Sequence, residues 1–233
     1  MHDKKIITSQ AAKFFYVSIK TAVPLVPHND NGGMPHLRLA VYKLFGKIMK
    51  IILASASPRR KELLKQIVKE FEIIPAVGGE NADLSLPPEK IVCALAEAKC
   101  GEVFEKFPDS LVIGCDTIVY FDGKVLGKPK TEAEAEETLK ELSGKTHSVY
   151  TGVCVRTALK NVTAYDKTVV TFNDLSDKFI SSYVNGGSPM DKAGCYGIQD
   201  EGVVKSYDGS YTNVVGLPVE LVEKVLKEVL SDD

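Results

Sequence analysis

The spacing of hydrophobic residues from position 50 onward predicts a short buried strand that runs directly into a helix. Residues 50–55 form a short apolar run, which is typical of a strand covered on both faces. Ser57 and Pro58 follow it as a helix N-cap and a first-turn proline. The apolar residues of this helix fall on one stripe, made of Leu63, Leu64, Ile67 and Val68.

Strand-like and helical patterns then alternate along the rest of the chain. Leu111–Phe121 is predicted to be a strand that Asp122-Gly123 turns back into Lys124–Leu126, and Thr131 with Glu134 forms a capping box that opens a helix. Further predicted elements are helices over 88–103, 176–184 and 218–230, strands over 149–158 and 162–172, and a strand that ends at 213–218. Strands interleaved with helices and hairpins predict an α/β fold with a mixed sheet.

The first 48 residues differ from the rest, so we expect an N-terminal extension over 1–48 and one domain over 49–233. Residues 1–50 carry eight basic and two acidic side chains, whereas the remaining 183 carry 21 basic and 29 acidic ones. We expect the extension to be disordered or to reflect a start set too early, because Lys13 and Lys20 interrupt any secretory apolar core. The acidic body argues against nucleic acid as a partner.

Overall composition is that of a globular protein, with 44% hydrophobic and 26% charged residues and a net charge of −2. No apolar run approaches the roughly 18 residues that span a bilayer, so we expect no membrane partner. The five cysteines include no CxxC pair. An odd number without such pairs is typical of reduced thiols in a cytoplasmic protein and argues against structural zinc.

Candidate chemistry is densest where the first strand enters its helix. Arg59 and Arg60 lie in the first helical turn, where the helix dipole already attracts anions and disfavours cations. Their forked donors suit phosphate oxygens, and Ser55 and Ser57 offer further hydrogen bonds. Two surface arginines after a cap are the alternative interpretation.

Other candidates are more scattered. Asp116 lies in an apolar strand, where a carboxylate needs a partner, a metal ion or a cleft; a structural aspartate bonded to Thr117 is the alternative. Lys128 follows the hairpin in a Gly-Lys-Pro sequence. Glu80 in a glycine-rich loop and Lys99, on a helix face that could meet solvent, are weaker candidates in isolation.

A third run, Asp191-Lys192-Ala193-Gly194-Cys195-Tyr196-Gly197-Ile198-Gln199, places two glycines beside an amide that can read a base edge. P-loop, GxGxxG and GxSxG patterns are absent, and His147, the single histidine after residue 48, argues against a catalytic triad. Cations with isolated carboxylates suit hydrolysis of a phosphoanhydride with a divalent cation.

Six motifs from Met49 to about Leu230 resemble the Maf family of septum-formation-inhibitor-like nucleotide pyrophosphatases. They are Ala-Ser-x-Ser-Pro-Arg-Arg, the Asp-Thr strand, Gly-Lys-Pro, Leu-Ser-Gly-Lys-Thr-His, Asp-Lys-Ala-Gly-x-Tyr-Gly-Ile-Gln and Asn-Val-Val-Gly-Leu-Pro. The resemblance implies a two-lobed Maf/inosine-triphosphatase-like fold, in which helices flank a long twisted mixed sheet around a central cleft.

The resemblance also implies an activity and a set of roles. Its Tyr-Gly-Ile-Gln ending is similar to the branch that hydrolyses dTTP and UTP, and modified pyrimidine triphosphates, to monophosphate and pyrophosphate with Mg²⁺ or Mn²⁺. Such enzymes remove non-canonical nucleotides and affect division arrest. The implied roles are proton acceptor for Asp116, substrate specificity for Arg59, Thr117 and Gln199, phosphate binding for Ser57, Arg60, Lys99 and Lys128, and metal binding for Glu80 and Asp116.

The chain departs from the family pattern at Cys115, Cys195, Gly79-Glu80 and Asp200, where other residues are usual. A nucleotide-binding regulator of septum formation with vestigial hydrolysis is the alternative function. A deaminated-purine triphosphatase of the same fold is a further alternative, which the pyrimidine pattern disfavours. The resemblance also implies a homodimer.

Overall fold

The structure, a computed structural model, describes residues 49–78 and 82–231; the predicted extension over 1–48 lies outside them. Seven strands in this part form one mixed sheet: β1 (Ile51–Leu53), β2 (Glu72–Ile73), β3 (Leu111–Phe121), β4 (Lys124–Leu126), β5 (Thr146–Arg156), β6 (Asn161–Phe172) and β7 (Val204–Asp208). The α-helices are α1 (Pro58–Leu64), α2 (Pro88–Lys106), α3 (Glu132–Leu142), α4 (Asp177–Asn185), α5 (Tyr211–Val215) and α6 (Val219–Leu230), with two 3₁₀ turns at Ser188–Asp191 and Ala193–Cys195.

β3 is the central strand, and one of its edges is only partly paired. The sheet order is β2-β1-β3-β5-β6-β7, with β1 parallel to β2 and β3 and the later pairs antiparallel. β5 pairs along one edge of β3 from Val112 to Tyr120. On the other edge β1 pairs up to Ile113 and β4 pairs from Val119 onward. A gap therefore opens beside residues 114–118.

Two hydrophobic clusters lie on either side of this gap and give the fold its two lobes. The first packs α1 and α6 against alternate residues of β1 and β3, while α2 covers their opposite face. The second packs α3 and α4 against the far ends of β3, β5 and β6, with Phe172 at its centre. Helices thus bury both faces of β1, β3 and β5, as expected for a helix-covered sheet, whereas β7 at the edge stays largely exposed.

Two glycines let α2 lie unusually close to the sheet. A Cβ on Gly114 of β3 would overlap the Ala96 carbonyl oxygen and approach Cys100 Cβ to 2.7 Å. A Cβ on Gly152 of β5 would overlap the Val92 carbonyl group. Because these obstacles are backbone, the helix would have to move away if either position carried a side chain.

Most predicted elements are confirmed, and two expectations are wrong. β3, the hairpin into β4 and the Thr131 cap, which accepts a hydrogen bond from the Glu134 amide, stand where they were predicted. The first helix ends at Leu64 instead of continuing through the whole apolar stripe. The stretch over 213–218 does not end a strand: it closes α5, which the Ser210 hydroxyl caps, and Gly216 follows in the left-handed region with φ 117°.

The mixed two-lobed sheet with flanking helices confirms the predicted fold class. Within the ranges that the structure describes, no helix combines the length and apolar character needed to cross a membrane.

We expect Gly114→Ala to lower the free energy of unfolding by about 2–3 kcal/mol, because the added methyl group meets fixed α2 backbone. Gly101, on α2 itself, is the matched control, since its Cβ would meet only Arg156 Nη1 at 3.6 Å. Gly101→Ala should stabilise the protein by up to about 1 kcal/mol through helix propensity. Urea unfolding measures both, and equal effects of the two variants would contradict the close approach at Gly114.

Candidate active site

The gap beside β3 opens into a cleft of about 630 Å³ between the two lobes. Its walls come from the β1–α1 connection, α2, β3, the loop after β4, and the segment that follows the 3₁₀ turns. The lining includes every predicted site residue that the structure describes, namely Ser57, Arg59, Arg60, Lys99, Asp116, Thr117, Lys128 and Gln199. Glu80, the remaining predicted site residue, lies outside the described residues.

The floor of the cleft holds a buried ion pair. Asp116, in the middle of β3, has a side chain only 8% exposed, and Lys99 Nζ from α2 lies 2.5 Å from its Oδ1. Lys99 therefore faces the cleft instead of solvent. The sequence offered Thr117 as the partner of the Asp116 carboxylate, and the structure pairs that carboxylate with Lys99. A buried charge needs such compensation, so the close approach of α2 is a condition for placing a carboxylate here.

Arg60 joins three separate segments in the cleft wall. Its Nε donates to the Gly216 carbonyl oxygen at 2.8 Å, and its Nη1 donates to Ser55 Oγ at 3.1 Å and the Cys115 carbonyl oxygen at 3.0 Å. Its Nη2 donates to Thr117 Oγ1 at 3.0 Å. Four of the five guanidinium hydrogens thus have acceptors among the described residues, and the second hydrogen on Nη2 has none there.

Arg59 extends across the cleft from the same helical turn. Its Nη1 lies 2.6 Å from Asp191 Oδ2 in the Ser188–Asp191 turn of the opposite wall, and its Nη2 donates to the Asp191 carbonyl oxygen at 3.4 Å. Ser57 caps the helix below, accepting a hydrogen bond from the Arg60 amide at 3.4 Å. Because the Asp191 side chain is 61% exposed, this ion pair is one that a bound polyanion could displace.

A chain of buried hydroxyl and amide groups supports Thr117 from behind. Thr117 Oγ1 shares a hydrogen bond with Thr151 Oγ1 at 3.0 Å, and Thr151 donates onward to the Asn213 carbonyl oxygen at 3.0 Å. The Asn213 side-chain amide donates to the Val149 carbonyl oxygen and to Thr168 Oγ1. Thr117 therefore connects the cleft to the middle of the sheet and to α5.

The segment that carries Gln199 is anchored by an aromatic cluster. The Tyr196 hydroxyl hydrogen-bonds His147 Nε2 at 2.8 Å, and the rings of Tyr196, His147 and Phe172 meet edge to face at centroid distances of 4.7–5.3 Å. Burial lowers the pKa of His147 to about 4. His147 is therefore a neutral structural residue, and Gln199 lies exposed at the cleft rim beyond this anchor.

Lys128 and Lys192 add positive charge to the cleft. Lys128 is exposed beyond β4, in a loop held where the Gly194 amide donates to the Gly127 carbonyl oxygen at 3.1 Å. Lys192 has a side chain that is 12% exposed, and its Nζ lies 2.8 Å from Asp191 Oδ1. Among the described residues, five cationic side chains and two carboxylates line the cleft. The site is thus positive although the whole chain carries a net charge of −2.

A family profile described as "Maf-like protein" matches residues 50–229, which is most of the chain. The chain belongs to the Maf-like family. The match begins at the residue before β1 and ends one residue short of the last residue of α6, so it covers both lobes and the cleft.

Curated Maf-like relatives carry a specific name. A protein of Bacillus mycoides strain KBAB4, named dTTP/UTP pyrophosphatase, is 48% identical over 185 residues, 78% of this chain and 97% of its own. One of the same name from Bacillus cereus strain ATCC 10987 is 46% identical over 196 residues, 83% of this chain and 97% of its own. A solved structure, protein VC0702 of Vibrio cholerae, covers 60% of this chain and 78% of its own at 11% identity, with a TM-score of 0.35.

Three positions that depart from the usual Maf-like pattern are each accommodated. Burial raises the pKa of Cys115 to about 12 and that of Cys195 to about 11, so both are neutral thiols packed in the lobes. All five cysteines are free. Asp200 Oδ2 accepts hydrogen bonds from the Tyr183 hydroxyl, the Ser188 hydroxyl and the Gly197 amide.

Several residues that shape this Maf-like site were not predicted as site residues. Thr151 and Asn213 lie beneath Thr117, and Asp191 and Lys192 form the wall that Arg59 reaches. Thr151 is a polar residue within the apolar run of β5, and this was a usable signal in the sequence. The structure shows that Thr151 is fully buried. The pairing of Arg59 with Asp191 joins residues 132 positions apart, which no local pattern indicates.

We expect Arg60→Lys to lower the free energy of unfolding by about 2–4 kcal/mol, because one ammonium cannot reach acceptors from three segments. Arg59→Lys is the matched control in the same helical turn, and loss of its partly exposed ion pair should cost less than about 1 kcal/mol. Urea unfolding compares the two. An Arg60→Lys variant as stable as Arg59→Lys would contradict the structural role of Arg60.

His147 should make stability depend on pH. The pKa of its imidazole is about 4 in the folded protein and 6.5 without burial, so the unfolded chain takes up the proton first as the pH falls. Its contribution is complete above about pH 6.5 and declines by about 3 kcal/mol toward pH 4. In urea unfolding across this range, His147→Gln should show a flatter dependence than the wild type. Parallel curves would contradict this assignment.

Proposed function

We propose that the protein hydrolyses dTTP and UTP to the nucleoside monophosphate and pyrophosphate. The buried pair of Lys99 and Asp116 on the floor of a cation-lined cleft carries this proposal. A carboxylate there can accept a proton from water, and the cations around it suit a triphosphate. The proposal is supported by the relatives named dTTP/UTP pyrophosphatase, which match over nearly their whole length.

The proposed reaction breaks the anhydride bond between the α- and β-phosphates. A water oxygen forms a new P–O bond to one of these phosphorus atoms as the bridging P–O bond breaks, one water proton passes to an Asp116 carboxylate oxygen, and pyrophosphate leaves. Lys99 stands beside Asp116, where it stabilises the negative charge that develops on the phosphate oxygens. Lys128, the remaining Nη2 hydrogen of Arg60 and the Ser57 hydroxyl bind the phosphates from the cleft walls.

Base preference is assigned to three residues around the cleft. Arg59 and Thr117 come from the first lobe and the strand floor, and Gln199 comes from the opposite rim. An amide offers both a donor and an acceptor to the base edge of a pyrimidine. Because Arg59 is paired with Asp191 at 2.6 Å, nucleotide binding has to share or replace that pair.

A divalent cation, Mg²⁺ or Mn²⁺, belongs to this proposal. Among the residues that the structure describes, no three His, Cys, Asp or Glu side chains cluster so as to hold a metal ion. The donor set fits an ion carried by the nucleotide, because Mg²⁺ commonly takes one or two carboxylates together with substrate phosphates. Asp116 would hold it, with Glu80 as the second carboxylate. When bound, the ion neutralises phosphate charge as a Lewis acid.

The resemblance to Maf-like proteins also implies a biological setting. We propose a cytoplasmic enzyme, consistent with five free thiols, that removes non-canonical pyrimidine nucleotides and is linked to division arrest. We also propose that it acts as a homodimer, which size-exclusion chromatography with light scattering measures directly.

The test is pyrophosphate release from dTTP, UTP, pseudo-UTP, 7-methyl-GTP, ITP and ATP with Mg²⁺ or Mn²⁺ and an EDTA control. Pyrimidine triphosphates should be preferred and EDTA should abolish turnover. Asp116→Asn should lower kcat by about 100-fold or more, the usual contribution of a general base. Its affinity for non-hydrolysable α,β-imido-dTTP, compared without divalent cation because Asp116 is also the proposed metal ligand, should stay within about threefold of the wild type, since Asn has nearly the same shape.

Asp208→Asn is the matched control, because Asp208 lies exposed at the end of β7, outside the cleft lining. Unchanged turnover in Asp116→Asn would exclude Asp116 as the proton acceptor. No turnover of any nucleotide by folded wild-type protein would favour the nucleotide-binding regulator.

A further inference from the structure

One oxygen of Asp200 collects hydrogen bonds from three parts of the second lobe. Asp200 Oδ2 accepts from the Tyr183 hydroxyl of α4 at 2.5 Å, from the Ser188 hydroxyl of the first 3₁₀ turn at 2.9 Å, and from the Gly197 amide at 3.2 Å. The Tyr183 hydroxyl also accepts from the Gly197 amide at 3.2 Å. A single atom thus connects the cleft-lining segment to the elements behind it.

The same segment folds into a tight turn with Gln199 near its tip. The Asp200 amide donates to the Gly197 carbonyl oxygen at 3.0 Å, which closes a four-residue turn with Gln199 in its third position. A Cβ on Gly197 would overlap Gln199 Nε2 and lie 2.8 Å from Asp200 Oδ2. The side chains of Gln199 and Asp200 therefore lie against the same face of Gly197.

We propose that Asp200 is a positioning residue for base recognition: its carboxylate fixes this turn and so directs the Gln199 amide toward the pyrimidine. The inference rests on the proposed function and deepens it. Gln199 is exposed, and a long exposed side chain loses rotamer freedom when a ligand binds. A turn that hydrogen bonds already fix leaves the Gln199 side chain less freedom to lose on binding. This benefit applies only to ligands that contact the Gln199 amide.

The geometry also indicates that Asp200 acts as a hydrogen-bond acceptor and not through its negative charge. All three donors converge on one oxygen, so the carbonyl oxygen of an asparagine at this position can accept the same hydrogen bonds. Burial, followed by the hydrogen bond to Asp200, raises the pKa of Tyr183, so its hydroxyl remains a donor at physiological pH. Asp200→Asn should therefore preserve the turn, whereas Asp200→Ala removes the acceptor.

The experiment compares Kd values for α,β-imido-dTTP and α,β-imido-ATP by calorimetry in full-length wild type, Asp200→Ala, Asp200→Asn and Tyr183→Phe. Asp200→Ala should bind the dTTP analogue about tenfold more weakly and the ATP analogue less than about twofold more weakly. Asp200→Asn should stay within about twofold of the wild type, and Tyr183→Phe should lose about threefold for dTTP. With dTTP as substrate, KM should rise in Asp200→Ala while kcat changes less than about twofold.

Asp208→Ala is the matched surface control, and thermal unfolding verifies that each variant folds. Equal losses for the two analogues in Asp200→Ala, or unchanged selectivity, would overturn the inference. An Asp200→Asn variant as weak as Asp200→Ala would overturn the acceptor role. Wild type that binds both analogues but hydrolyses neither dTTP nor UTP would refute the proposed hydrolysis, while the binding ratios still decide the role of Asp200. Wild type that binds neither analogue would overturn both.

Discussion

A carboxylate buried in the middle of the central strand is the constraint on which the rest of the cleft depends. Asp116 as a whole residue is 6% exposed, and a charge at that depth persists only beside a compensating cation. Lys99 supplies it from α2, which comes close enough because Gly114 and Gly152 present no side chains to the helix. The missing edge partner between β1 and β4 leaves the pair accessible from the cleft. The buried Asp116 carboxylate therefore depends on the close approach of α2, and its access to the cleft depends on the unpaired edge of β3.

The walls of the cleft are polar, yet most of their groups are already hydrogen-bonded. Arg60 is committed to acceptors in three segments, and Thr117 continues through Thr151 to the backbone of Asn213. A network bonded to this extent holds its members in one arrangement at low local dielectric. Preorganised donors are more useful to a charged substrate than mobile ones, because they need no reordering when charge develops. Arg59 has two hydrogen bonds, both to Asp191, and Lys128 is exposed, so these two cations are less embedded in the network.

Local signals in the sequence predict most elements and many of the residues that line the cleft, but not how those residues pair. The hairpin after β3 was predictable because Asp122 and Gly123 both adopt positive φ, as its tight turn demands. β7 was missed because its exposed residues give almost no alternating pattern, and α5 was missed because five residues are too few for a helical period. The inward direction of Lys99 depends on glycines in two other elements, and the partner of Arg59 lies 132 residues away. Such contacts are tertiary, so propensity and spacing do not contain them.

The Arg60 bond to the Gly216 carbonyl oxygen spans 156 positions, which has a consequence for synthesis on the ribosome. While the chain grows, β1, α1 and β3 emerge long before their last acceptor, so the nascent first lobe carries an arginine whose Nε still meets water. Closing so long a loop is entropically expensive and comes late in folding. The cleft therefore reaches its final form only after residue 216 has left the exit tunnel, and a nascent chain shorter than that cannot present a finished nucleotide site.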